Sequence, residues 1–191
     1  MANIPRKQAK TINLGLSYGM GKEKLIKELG IDDTEAESLF QQYHANVPFI
    51  RALQDQCARV AMERGYIKTF AGRHCRFDLW ESRYERTLPL PLEEAKEKYG
   101  GDLKRSYTYK ALNRLIQGSA ADMTKLAMIG LWEEGIVPHL QVHDEVDISI
   151  ENTEQANTVT RIMENCVELA VPLLVDQELG ASWGETKEIK T

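Results

Sequence analysis

Apolar residues recur every three to four positions in several stretches of the chain, and each stretch predicts a helix. Residues 6 to 29 carry that spacing, with an interruption at Gly19-Met20-Gly21. Asp32 with Glu35 three residues on has the form of a capping box and predicts a helix running through Leu39, Phe40 and Tyr43 to about Asn46. Pro48 suits the start of a further helix, Phe49 to Glu63, which Gly65 closes. The runs 66–70 and 74–77 flank Ala71-Gly72-Arg73, a hairpin signature.

The pattern fades between residues 81 and 105, where Pro89, Pro91 and Gly100-Gly101 stand among charges. That composition predicts a mostly exposed connection with a short helix at Leu92 to Tyr99, and a domain break near residue 105. Beyond it, Leu112, Leu115, Ile116, Ala120, Met123, Ala127 and Gly130 keep helical spacing. Val142, Val146, Ile148 and Ile150 alternate as a half-buried strand does, interrupted by His143-Asp144-Glu145. Val159, Ile162, Met163, Cys166, Val167 and Ala170 form another helical stripe, stopped by Pro172. Leu173, Val175 and Leu179 suggest a last strand. The order is α+β: helices to about residue 105, then helix, β-hairpin, helix and strand.

Composition narrows the class. With 191 residues, 42% hydrophobic and 28% charged, the chain reads as globular. Its apolar runs are too short for a transmembrane helix, and its start lacks the apolar core of a secretory signal. Three scattered cysteines, Cys57, Cys75 and Cys166, fit neither a disulfide framework nor a zinc ribbon. A cytoplasmic location, reducing toward thiols, is the expectation.

The net charge of −5 argues against a generic nucleic-acid binder, but its distribution is uneven. Residues 1–30 hold six Lys/Arg against two acids, whereas residues 131–191 hold three against 13. A basic head and an acidic tail suit a phosphate-rich ligand and its metal ions at opposite sides of one site. A solvated surface that happens to segregate gives the same counts.

Three constellations carry candidate chemistry. Arg6, Lys10, Leu14 and Tyr18 are four apart, so on a helix they share one face within roughly 120° of arc. Two cations one turn apart suit a triphosphate, and the apolar and aromatic side chains beyond them suit a nucleoside. An ordinary amphipathic helix with solvated cations has the same spacing. His143-Asp144-Glu145 places adjacent carboxylates on a tight turn. Hard divalent cations take one or two such groups plus substrate phosphates, and a two-metal site stabilises both oxygens of a phosphoryl transfer. An acidic surface turn is the plain alternative, and a zinc site from His139, His143 and Asp144 lacks the zincin spacing. Asn113 and Gln117, one turn apart before Gly118-Ser119-Ala120-Ala121, could donate to the minor-groove acceptors common to all base pairs, or face water on a polar first turn.

In this order and spacing the three sets resemble family A DNA polymerases, the bacterial polymerase I type. The stretch RKQAKTINLGLSYGM from Arg6 to Met20 is similar to the family's motif B on the O-helix of the fingers. Asn113-x3-Gln117-Gly118-Ser119-Ala120-Ala121-Asp122 follows, then Gln141-Val142-His143-Asp144-Glu145, which resembles motif C of the palm. The resemblance extends over nearly the whole chain, to Val171-Pro172-Leu173. It implies a helical fingers subdomain over residues 1–105 and the C-terminal half of an antiparallel-sheet palm over 106–191.

It also implies roles. Arg6 and Lys10 would contact the incoming triphosphate, Leu14 would pack on its sugar and base, and Tyr18 would sit near the templating base. Asp144 and Glu145 would hold Mg²⁺ and, with Lys10, form the catalytic set. Asn113, Gln117 and His143 would contact primer-template DNA.

Leu14 stands where many members carry Phe or Tyr and some viral ones Leu, which implies a viral type and discrimination against dideoxynucleotides. Tyr109 stands where bacterial members carry Arg, and is left out of the candidate site. Motif A, with the other metal-binding Asp, and the thumb precede motif B in the family and have no counterpart here. The expectation is therefore either a naturally split polymerase of viral type, whose separate N-terminal polypeptide supplies motif A, or a truncated part of a longer one; in both cases this chain alone would be inactive. A single-subunit RNA polymerase fragment shares the Arg, Lys and Tyr-Gly pattern but usually continues HDS, against Glu145 here. A non-catalytic DNA- or nucleotide-binding remnant is the remaining alternative.

Overall fold

The computed structural model describes residues 6–188. It is α+β, as the patterning predicts. Two compact units divide after Ile116, eleven residues beyond the break expected near 105. The division falls inside a helix, where no change of composition marks it.

The first unit opens with α1 (Arg6–Ser17), α2 (Lys22–Leu29), α3 (Asp33–Asn46) and α4 (Pro48–Arg64). The interruption at Gly19-Met20-Gly21 separates α1 from α2, with Gly19 at φ 84°. Asp32 is the N-cap of α3, its side chain accepting from the Glu35 amide at 2.8 Å. Pro48 begins α4, where its missing N–H costs nothing. Gly65 ends α4 at φ 80°, a left-handed cap that a Cβ would strain.

Two apolar clusters hold this unit. In one, Leu16, Leu25 and Ala36 are buried, with Ile12, Met20, Leu39, Phe40 and Tyr43 packed around them. In the other, Cys57 and Ala61 of α4 meet Ile67, Phe77, Ala111 and Leu112. Burial pushes the Cys57 thiol up, so it stays protonated as a core residue.

The hairpin forms as β1 (Tyr66–Lys68) and β2 (His74–Arg76), paired antiparallel with Ile67 opposite Cys75. Residues 81–105 are not the exposed connection expected. β3 (Leu79–Ser82), β4 (Leu90–Pro91) and β5 (Leu103–Arg105) form a three-stranded antiparallel sheet in the order β4-β3-β5. These strands span two to four residues, too few for alternation to show. The helix expected at Leu92 to Tyr99 is present as α5.

Arg105 ties these parts together. Its guanidinium lies over the Trp80 ring at 4.4 Å and donates to Phe77 O at 2.9 Å and Met62 O at 3.2 Å. It also fills the space where a Cβ on Gly65 would fall.

The long α6 (Ala111–Glu133) runs through the division. In the second unit Ala127, Leu131, Ile136 and Ala156 are buried. A Cβ on Gly130 would come within 2.9 Å of Ile162, so the glycine lets α6 and α7 (Thr153–Glu164) approach closely. Between them lie β6 (Leu140–Val142) and β7 (Glu145–Asp147).

The α7 stripe stops at Glu164, not at Pro172. The Asn165 side chain donates to Arg161 O at 2.7 Å, the carbonyl its own amide bonds, and so closes the helix locally. The last strand is shorter than expected. β8 (Glu178–Leu179) pairs with β9 (Lys187–Glu188), while the Val175 amide donates to the Glu164 carboxylate.

Two outcomes follow from this packing. Gln54 of α4 donates to Leu16 O and Ser17 O, both at 2.9 Å, reaching Ser17 O at the open end of α1 and joining the Gly19 amide on Leu16 O. Gln54→Leu leaves both without that partner and should cost about 1–3 kcal/mol in urea unfolding; an unchanged midpoint would show that water replaces it. His44 has its Nδ1 buried without a hydrogen-bond partner, and burial, then the Arg51 charge, lower its pKa from 6.5. The folded state therefore favours the neutral ring. Its contribution is full above the unfolded value and lost as pH falls through the folded one. Thermal unfolding between about pH 7.5 and about pH 5.5 should show a drop that His44→Gln reduces.

Candidate active site

α1 separates its two sides cleanly. Leu16 is 1% exposed and Ile12 is half-buried against the first cluster, while Arg6 and Lys10 are exposed and Leu14 is 42% exposed. Each four-residue step turns the helix by about 40°, so the predicted set forms one strip, with Ile12 on the opposite side. Tyr18 lies one residue past the helix end, in the turn. Its amide still bonds Leu14 O at 3.1 Å, which keeps the helical path to that point.

The end of this strip is anchored from below. Tyr43 Oη and Ser17 Oγ are 2.7 Å apart, and Tyr43 Oη also donates to the Asn13 side chain at 3.2 Å. With the two Gln54 bonds, the last turn of α1 is held from both α3 and α4. Neither Tyr43 nor Gln54 belongs to the candidate set read from sequence. Tyr43 carried only a helical-stripe signal, and Gln54 carried none.

In the second unit, β6 and β7 pair with Val142 opposite Glu145, leaving His143 and Asp144 as a two-residue loop. His143 is at φ 57°, while Asp144 is not left-handed. A non-glycine residue there stores about 1–3 kcal/mol, of the kind that clusters at functional sites. Gln141 stabilises the turn by donating its side-chain amide to His143 O. His143, Asp144 and Glu145 are all exposed. Asp144 and Glu145 thus offer adjacent oxygen donors on a short, fixed turn.

His139 takes another part. Its amide bonds Asp147 O at 2.9 Å and its Nε2 is 3.1 Å from Ser149 Oγ, so it extends the hairpin. Among the described residues, no group of three or more His, Cys, Asp or Glu side chains is placed to hold a metal. The zinc alternative is therefore without support, while two carboxylates meet the smaller protein share that Mg²⁺ takes beside phosphates.

Asn113 and Gln117 lie one turn apart on α6, Asn113 half-buried and Gln117 exposed. Immediately before α6, Tyr107 sits at φ 62°, and Lys110 lies over the Tyr107 and Tyr109 rings at 4.6 and 5.6 Å. Tyr109 is 59% exposed. The structure therefore groups the candidate residues in two sets, the α1 strip and the β6–β7 turn, each on its own unit, with the amides on α6. No described helix is long and apolar enough to cross a membrane.

The sequence profile of DNA polymerase family A matches residues 1–185. A DNA-directed DNA polymerase of Pseudomonas phage M6 is 35% identical over 97% of this chain and 30% of its own length. The thermostable DNA polymerase I of Thermus aquaticus is 36% identical over 97% of this chain and 21% of its own. Among solved structures, the POL domain of Pol1 from M. smegmatis, in complex with DNA primer-template and dNTP, superposes with a TM-score of 0.68 at 28% identity. That match covers 88% of this chain and 28% of the other. The chain thus spans less than a third of the length of these relatives. With the family profile running over nearly its whole length, the chain belongs to DNA polymerase family A.

Proposed function

We propose that this chain supplies the nucleotide-binding helix and the carboxylate turn of a template-directed DNA polymerase, extending a DNA primer from deoxynucleoside triphosphates. The observation that carries the reading is the α1 strip: Arg6, Lys10 and Leu14 are exposed in line while Ile12 and Leu16 pack into the core. A strip fixed from beneath can meet a triphosphate without rearranging, which is where enzymes of this kind gain rate.

On this reading Arg6 and Lys10 bind and orient the triphosphate, neutralising charge from two successive turns. Leu14 packs against the sugar and base, and Tyr18 closes the strip beside the templating base. Asn113 and Gln117 donate to primer-template DNA, with His143 near the primer terminus. The match to the solved mycobacterial complex with primer-template and dNTP supports both ligands.

Asp144 and Glu145 hold oxygen donors that fit a hard divalent cation such as Mg²⁺. When bound, the cation would stabilise charge developing on the transferring phosphate. A further carboxylate, carried by polypeptide beyond the described residues and corresponding to the family's motif A, completes that set. By this reading residues 1–105 act as fingers and 106–191 as the C-terminal half of the palm. The phage relative supports a viral type.

Calorimetric titration with a deoxynucleoside triphosphate and Mg²⁺ tests the strip directly. Arg6→Ala and Lys10→Ala should each weaken binding about tenfold or more, the scale of one lost charge-assisted bond. The matching nucleoside should bind both variants as it binds the parent chain. Equal triphosphate affinity in parent and variants would remove the strip from the nucleotide site.

A further inference from the structure

A second basic surface lies on the first unit, away from the α1 strip in sequence and outside the candidate set. Residues 51–76 carry six Lys/Arg against two carboxylates. The β1–β2 register sorts this segment into two faces. Ile67 and its partner Cys75 point to the core, with Ile67 buried. Tyr66, Lys68, His74 and Arg76 therefore share the outer face, because side chains alternate along a strand. Lys68, His74 and Arg76 are exposed. Among the described residues, neither Lys68 nor Arg76 takes part in an ion pair.

The face is held in place. The Tyr66 and His74 rings stack at 4.1 Å with 13° between their planes, filling the middle of the face. Lys68 and Arg76 occupy diagonal positions across the pair, roughly 7–8 Å apart at the backbone. The turn is tied by buried Thr69: its amide donates to Arg73 O at 2.9 Å, and its hydroxyl accepts from the Arg73 amide at 3.1 Å. Beneath the strands, the Arg114 guanidinium lies over the Phe77 ring at 4.4 Å and donates to Arg76 O at 2.7 Å. At the tip, Phe70 is 47% exposed. Two cations on one anchored face, without ion-pair partners among the described residues and spaced more widely than a single anion needs, suit a repeating polyanion.

We propose that the outer face of the β1–β2 hairpin binds the sugar–phosphate backbone of duplex DNA, with Lys68 and Arg76 each engaging a phosphate. This rests on the DNA-polymerase reading above and adds a contact surface to it. The contact is positional and reads no sequence.

The test is fluorescence anisotropy of a labelled primer-template duplex with the full chain across a range of salt concentrations. The Lys68→Gln/Arg76→Gln double variant should weaken binding at low salt at least tenfold. It should also flatten the slope of log K against log salt by about 1.8, roughly 0.9 for each lost phosphate contact. The charge-preserving Lys68→Arg/Arg76→Lys variant should keep both affinity and slope, which separates lost charge from lost fold. Lys96→Gln, on α5 and already paired with Glu93, should change neither. Binding by the parent chain that the double variant leaves intact would overturn the hairpin assignment alone. Absence of duplex binding by the parent chain would overturn it together with the DNA-binding part of the proposed function.

Discussion

What α1 presents to solvent depends on how its last turn is held. Leu16 is buried among α2 and α3, Gln54 reaches up from α4 to two terminal carbonyls, and Tyr43 joins Ser17 and Asn13. A twelve-residue helix is marginal alone in water, so tertiary contacts must supply its stability. Because the contacts gather on one side and at one end, the opposite strip is free to carry charge. The same constraint that folds the helix therefore orients Arg6, Lys10 and Leu14.

The β6–β7 turn answers a different constraint with a similar device. A two-residue loop forces His143 into left-handed backbone, and Gln141 ties the turn back to its own strand. The result is a short turn that carries Asp144 and Glu145 side by side. Basic residues concentrate toward the start of the chain and carboxylates toward its end, and the α1 strip and the carboxylate turn belong to separate folding units.

Much of this was legible from residues alone, for identifiable reasons. Helices with strong caps were readable to within a residue or two: Asp32 with Glu35, Pro48, and Gly65 each punctuate the chain through backbone chemistry. The hairpin around His143-Asp144 was readable because apolar alternation brackets it. The β3–β4–β5 sheet was not, since its strands are shorter than one period of evidence and contain Pro91. The end of α7 was misplaced because Asn165 stops the helix by a side-chain bond, while the apolar stripe continues past it. Arg6 and Lys10 were legible as exposed charge at helical spacing. Gln54 and Arg105 were not, because a polar side chain that bonds distant carbonyls looks in sequence like any surface residue.

The most direct test is primer extension with Mg²⁺ and the four deoxynucleotides, using this chain together with a polypeptide that carries the family's motif A carboxylate. If the α1 strip and the carboxylate turn serve nucleotidyl transfer, the pair gives template-directed synthesis that Asp144→Asn abolishes. Synthesis that persists undiminished in Asp144→Asn, or no synthesis by the pair, would contradict it.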